Sequence, residues 1–149
     1  MTKYFYRFAL FILKIYWFVF RPNTFGVECL IQHENKILFI QNTYGRSWWH
    51  FPGGGINKNE TPEQAAIREV KEEVDIEIIN PQIITERETT IDYKHDHVYI
   101  FATQVNSEYT KIAAAEIANA TWFEVINLPP NISPVAHEAL TVWQKNNQI

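Results

Sequence analysis

The chain has 149 residues, 46% of them apolar, which suits one domain with a full-sized core. A formal net charge of −4 excludes a broad polyanion-binding surface, and so bulk nucleic acid as a partner, while leaving a terminal nucleotide open as a substrate. The single cysteine, Cys29, forms no internal disulfide. It lies in the apolar run Val27-Glu28-Cys29-Leu30-Ile31, reads as a small buried residue, and is consistent with a reducing, cytoplasmic setting.

Residues 4–20 are almost wholly apolar and aromatic, interrupted only by Arg7 and Lys14. Wound as a helix, Lys3, Arg7, Lys14 and Arg21 fall within about 40° of one another, a narrow basic stripe on an apolar cylinder. A charge at mid-helix is costly in a membrane span. Lys14 also breaks the apolar run that a secretory signal needs, and Phe20-Arg21-Pro22-Asn23 is a poor cleavage site. Residues 1–21 therefore read as an apolar helix set apart from a domain over 22–149. Two settings stay open for residues 1–20. A membrane surface suits the basic stripe with Trp and Phe opposite, making the chain peripheral to a membrane. Docking on the domain, or on a second copy in a homodimer, suits any apolar helix and is the expected setting.

Pro22 ends that segment, since the residue before a proline is pushed out of the helical region. Residues 25–31 and 36–40 predict two strands of a hairpin turning at Glu34-Asn35. Residues 42–47 are polar and loop-like. Pro52 followed by Gly53, Gly54 and Gly55 fits neither a regular helix nor a central strand, and lets backbone approach a ligand closely. Thr61-Pro62-Glu63 predicts a helix start, with proline in the first turn and an acid at the positive end. That helix runs to about Val74, with Ala66, Ile67, Val70 and Val74 on its apolar face. Residues 76–79, 83–90, 97–104 and 122–125 predict strands, and Ser133-Pro134 opens a final helix to about Lys145. Strands on both sides of a helix predict an α/β fold with a mixed sheet and helices on its faces.

Three carboxylates, Glu69, Glu72 and Glu73, fall within a stripe about 100° wide on one face of the middle helix. Like charges at this spacing destabilise a bare helix by roughly 0.2–0.5 kcal/mol per pair. A divalent cation reverses the sign of that term, and hard oxygen ligands suit Mg²⁺ or Mn²⁺. The stretch reads Gly54, five residues, Glu60, seven residues, then Arg68-Glu69-Val70-Lys71-Glu72-Glu73-Val74-Asp75-Ile76. This spacing resembles the signature of the Nudix hydrolases at Gly54, Glu60, Arg68, Glu69, Val70, Glu72, Glu73 and Ile76. Trp49-His50-Phe51-Pro52-Gly53-Gly54 resembles the family's approach to that signature. The one departure is Asp75, where the family has glycine to end the helix. Aspartate tolerates a left-handed backbone better than most residues, at a cost on the order of 1 kcal/mol.

The resemblance implies the Nudix α/β/α sandwich, with the signature as loop-helix-loop, over residues from about 21 onward. It implies Glu69 and Glu73 as main metal ligands, Glu72 as a ligand or water relay, and the Gly53 carbonyl as a further ligand. Arg68 would hold the glutamates in place and Glu60 would orient Arg68. The implied chemistry is hydrolysis of a diphosphate, with metal-generated hydroxide and an assisting base. The base varies within the family; Glu72 and Glu116, the latter six residues before Trp122, are the candidates here.

Trp49, Phe51 and Tyr93 are candidates to stack on a base. His95 and His97 alternate about Asp96 and read as solvated or phosphate-facing. The expectation is a Mg²⁺-dependent hydrolase of a nucleoside diphosphate linked to another moiety. The classes in view are a nucleoside triphosphate, a dinucleoside polyphosphate, ADP-ribose or an RNA 5′ end. The alternative is a Nudix-fold nucleotide sensor without turnover.

Overall fold

The computed structural model describes residues 3–20, 23–90 and 95–147. In chain order the elements are α1 (Lys3–Phe20), β1 (Asn23–His33), β2 (Lys36–Asn42), β3 (Gly53–Gly55), α2 (Pro62–Val74), β4 (Gln82–Thr89), β5 (His95–Gln104), β6 (Ile117–Glu124) and α3 (Pro134–Asn147). The sheet order is β4-β5-β1-β2-β6, with β3 paired to β1 beside that path. β1 and β5 run parallel from Asn23 opposite His95 to Gln32 opposite Gln104, and the other pairings are antiparallel, so the sheet is mixed as expected.

Alternation along the central strands builds two cores. Val27, Cys29 and Ile31 of β1, with Leu38 and Ile40 of β2, meet Ala65, Ala66, Val70 and Val74 of α2. Leu30, Ile37, Phe39, Val98 and Ile100 point the other way, onto Val135, Ala136, Ala139, Leu140 and Trp143 of α3. Successive strand side chains face opposite ways, so one apolar run supplies both layers of an α/β/α sandwich. Cys29 is fully buried, and burial pushes its thiol up to about 12.

The β1–β2 hairpin closes as predicted around Glu34, whose φ of 50° gives the left-handed step a tight turn needs. Helix α2 begins with a capping box: the Thr61 hydroxyl accepts from the Gln64 N–H at 3.2 Å, and the Gln64 side chain accepts from the Thr61 N–H at 3.0 Å. It ends on Asp75 in the left-handed region, φ 58° and ψ 32°, the conformation the family's glycine would take. Lys71 steadies this end with an ion pair to Asp75 at 2.7 Å.

Two expectations need correction. Residues 76–79 form no strand: Ile76 and Ile78 are buried in the α2-side core and Ile79 is 80% exposed, but no ladder partner runs beside them. Period-two burial is shared by any extended segment lying on a core, so it does not by itself make a strand. The strand expected at 122–125 begins five residues earlier, at Ile117, because β6 pairs along the length of β2. The N-terminal helix forms, and residues 11–16, 18 and 19 are all exposed. Among the described residues no helix is long and apolar enough to cross a membrane.

Candidate active site

Strand β3 presses the glycine loop between β1 and α2. The Cys29 N–H donates to the Pro52 carbonyl at 2.8 Å, and Gly53, Gly54 and Gly55 lie opposite Glu28, Val27 and Gly26. A Cβ on Gly53 would overlap the Val27 carbonyl, and one on Gly54 would stand 2.5 Å from the Glu69 carboxyl. Gly53 accepts no side chain because the β1 backbone already occupies the space, and a side chain at Gly54 would have to displace the Glu69 carboxyl.

Arg68 ties that loop to the acids. Its Nε and Nη2 donate to the two carboxylate oxygens of Glu60 at 2.7 and 2.9 Å, a bidentate pair. Nη1 donates to Glu69 at 2.7 Å and to Glu72 at 3.2 Å, and Nη2 also donates to the Gly55 carbonyl at 2.9 Å. The Asn57 N–H donates to Glu60 at 2.8 Å. The Arg68 hydrogen bonds, then the Asn57 amide, hold the Glu60 carboxyl down to about 2. The same pairing pushes the Arg68 guanidinium above its ordinary value. One side chain thus spans three carboxylates and the glycine loop.

Glu73 has a different environment. It is 6% exposed and accepts from the Gly53 N–H at 2.9 Å. Burial raises its carboxyl to about 8; the Gly53 amide opposes that rise, and the like charges of Glu69, Glu116 and Glu28 add to it. Glu116 stands in the turn before β6, 43 residues along the chain, yet lines a cavity of about 180 Å³ with Glu73, Asn42 and Tyr44. The Thr43 N–H donates to the Glu116 carbonyl at 2.7 Å, which anchors that turn to the end of β2. Among the described residues no three His, Cys, Asp or Glu side chains already stand as a ready cation site. The donor set nevertheless fits a hard divalent cation. Several carboxylates repel one another here, and one is buried with its proton affinity raised, which a cation would relieve.

A second cleft of about 660 Å³ opens on the other side of the glycine loop, lined by Gly53, Gly54, Gly55, Phe25, Glu28 and His50 among others. It shares Phe25 and Asp96 with an adjoining cavity of about 700 Å³ that holds Arg87, His95 and His97.

The expected stacking residues separate. Phe51 is fully buried with its ring 5.0 Å from Phe39, so it is a core side chain that offers no open face. Trp49 is half-buried, edge-on to Phe123 at 5.0 Å. Tyr93 lies outside the described residues. His97 lines the larger cavity with Nε2 2.8 Å from Glu86 and Nδ1 3.6 Å from Glu88. Two cleft residues escaped the sequence reading. Phe25 is 53% exposed and lines both cavities. Glu28 is the lone acid of β1, set in the apolar run Val27-Glu28-Cys29-Leu30-Ile31, which was the signal available for it.

Residues 21–143 match the profile of the NUDIX domain. The chain belongs to the Nudix family, whose members typically use divalent metals. It is 38% identical over 81 residues to an RNA pyrophosphohydrolase of Acinetobacter baylyi, an alignment covering 54% of this chain and 47% of that protein. The chain spans less than two thirds of the length of this and comparable curated relatives. The fold matches a MutT NUDIX hydrolase of Burkholderia pseudomallei with a TM-score of 0.74 at 20% identity, covering 80% of this chain and 97% of that one. An Ap4A hydrolase of C. elegans matches with a TM-score of 0.73 at 20% identity, covering 84% and 98%.

Proposed function

We propose that this protein hydrolyses a diphosphate bond in a nucleoside diphosphate linked to another moiety, using Mg²⁺ or Mn²⁺. The observation that carries the reading is the Arg68 network, which holds Glu69 and Glu72 beside the glycine loop while Glu73 bonds the loop from the buried side. Proteins named as an RNA pyrophosphohydrolase and as an Ap4A hydrolase support a substrate with a nucleotide on one side of the bond.

Glu69, Glu73, Glu72 and the Gly53 carbonyl would hold the cation, which supplies charge neutralisation at the diphosphate oxygens and acidifies water. Arg68 keeps Glu69 and Glu72 aimed at the loop, and Glu60 holds Arg68 in its turn. Either Glu72 or Glu116 takes the proton of the attacking water. The Glu72 side chain is 58% exposed and held by one 3.2 Å contact, so it is free to swing; Glu116 shares the cavity beside Glu73. Water oxygen bonds to phosphorus, the bridging P–O bond breaks, and the products are a nucleoside monophosphate and a phosphorylated remainder.

The test is chromatographic detection of the cleavage products (nucleoside monophosphate, or pyrophosphate from the RNA) formed from nucleoside triphosphates, ADP-ribose, diadenosine polyphosphates and a 5′-triphosphate RNA, with wild type and Glu73→Gln. Turnover of one class, falling about 10²-fold or more in the variant, is the expected result. Tight nucleotide binding with no turnover would replace this reading with a nucleotide sensor.

A second reading concerns location. The exposed α1 surface and the absence of any acid before Glu28 suit an anionic membrane surface, against which the Lys3, Arg7, Lys14 and Arg21 stripe would sit. Sedimentation with anionic but not neutral vesicles is expected. A stable dimer in solution that does not bind vesicles would assign the helix to a second copy.

A further inference from the structure

Seven large apolar side chains of α1, from Phe11 to Val19, are 43–62% exposed. At about 100° per residue they cover an arc about 220° wide. Ile12 and Val19 stand near its middle, at 49% and 62% exposure. Lys14 lies outside the arc, roughly 150° from that middle, and helical spacing sets Lys3 and Arg7 within about 40° of Lys14. A helix docked on its own domain buries the face turned away from its basic stripe. At the described residues of α1 that face is open.

Charge says what covers it. The first 27 residues hold Lys3, Arg7, Lys14 and Arg21 and none of the 17 acidic residues. The rest of the chain is acidic in balance. An anionic bilayer attracts the first part and repels the second, so it meets the protein at the α1 end. The α1 of a second copy offers no negative charge in return.

The same end carries the cleft mouth. Phe20 is joined to Asn23 by three residue steps, at most about 11 Å. Asn23, Thr24 and Phe25 line both the 660 Å³ and the 700 Å³ cavities, and Phe25 is 53% exposed. The Phe25 carbonyl accepts from the N–H of Ile56, another apolar residue of the cleft wall, at 3.1 Å. From Asn23 to Glu28, which lies opposite Gly53, β1 covers five residue steps, or about 17 Å. The cleft therefore opens beside α1 and reaches back to the glycine loop. An anchor that set only location could hang on a long linker anywhere on the domain. One fixed this close to the rim also fixes which way the rim faces.

We propose that α1 and Phe25 dock on an anionic bilayer with the cleft mouth facing it, and that the moiety linked to the nucleoside diphosphate is a membrane lipid. The polar head of the lipid enters the cleft from the bilayer surface while its chains stay behind. Water oxygen bonds to one phosphorus, one water proton passes to the base, and the bridging oxygen leaves with the other phosphate. The products are a nucleoside monophosphate and a lipid phosphate. The substrate class rests on the hydrolase reading above, and the orientation on the membrane reading.

The experiment has two arms, both on the full chain. Cys29 is the one cysteine of the sequence and is buried, so a single added cysteine can be labelled selectively. Phe25→Cys and Ile126→Cys each receive an environment-sensitive fluorophore. Ile126 is 89% exposed, and its neighbour Val125 donates to the Asn35 carbonyl, at the end of β1 far from the cleft. Phosphatidylglycerol–phosphatidylcholine vesicles with brominated chains should blue-shift and quench the label at 25 and leave the label at 126 unchanged. In the second arm, vesicles carry the adenosine, guanosine, cytidine and uridine diphosphate esters of dioleoylglycerol, and the matching glycerol esters are offered in solution. Wild type with Mg²⁺ should cleave a dioleoylglycerol ester at least about tenfold faster than its glycerol counterpart, since surface binding raises the effective substrate concentration. Ile12→Asp combined with Val19→Asp, on the open face of α1, should abolish that advantage and leave the glycerol-ester rate unchanged.

A label at 25 that responds no more than the label at 126 overturns the orientation. Glycerol esters cleaved as fast as the vesicle-borne ones, or turnover confined to soluble nucleotides, overturn the lipid class and leave the hydrolase reading standing. Turnover of no ester and no soluble nucleotide overturns the hydrolase reading and the lipid class with it, while the labels still decide the orientation.

Discussion

Helix α2 and helix α1 are both amphipathic on paper, yet they find their partners in different places. α2 is capped at both ends, buries Ala65, Ala66, Val70 and Val74 against the sheet, and ties its acid face to the glycine loop through Arg68. α1 has neither an acid in its first turn nor a base in its last, and its middle is exposed. Everything α2 needs lies within the chain. α1 keeps large apolar side chains exposed along residues 11–16, 18 and 19.

The contrast can be broken most forcefully at Arg68. If the α2 network holds the acid face in place, Arg68→Ala should weaken divalent-cation affinity tenfold to a hundredfold, read by calorimetry. Unchanged affinity would mean that the glutamates need no organiser. On the α1 side, Lys14→Glu reverses one charge of the basic stripe. At about 1 kcal/mol per charge near an anionic surface, exchanging a plus for a minus should drop vesicle affinity about thirtyfold, and the salt dependence of binding should weaken with it. Equal binding by both proteins would remove the electrostatic half of the membrane reading.

A smaller effect follows from pH. The Glu73 and Glu28 carboxyls are both raised to about 8 from an ordinary 4.5, in each case by burial first. The folded protein therefore binds these protons more tightly than the unfolded chain does. Their contribution to stability is fully present below pH 4.5 and is lost as pH rises toward 8. Without metal, the melting temperature should fall between pH 5 and 8, and Mg²⁺ should restore it at pH 8. Glu60, held down to about 2, titrates well below this window and does not blur it. A flat profile over that range would show that the acids are hydrated in solution. The smallest change is expected at the end of α2. Asp75→Gly relieves a left-handed aspartate at the loss of its ion pair to Lys71, and should raise the melting temperature by a few degrees. A fall instead would mean that the ion pair outweighs the backbone.

Much of the site was legible because its grammar is local. Glu69, Glu72 and Glu73 share a face through helical spacing alone, and Thr61-Pro62 marks where that helix starts. Other features depended on neighbours far along the chain. Glu116 comes beside Glu73 only because β6 pairs along β2 up to Asn42. Phe51 and Phe25 are the same residue type near the same loop, but one lies under the sheet and the other at the cleft mouth. Residues 76–79 alternate like a strand and still lack one, since a strand also needs a free edge to pair with.

From its sequence alone, this chain's family, its mixed α/β class, the acid face of α2 and the left-handed stop at Asp75 could be read, because each depends on residues within a few positions or on a set spacing. The sheet order, the second core beneath Phe51, the placing of Glu28 and His50 on one cleft and the exposure of α1 were decided by tertiary structure. Those outcomes depend on which strands pair and in what register. That is a balance among contacts distant in sequence, and no local window contains it.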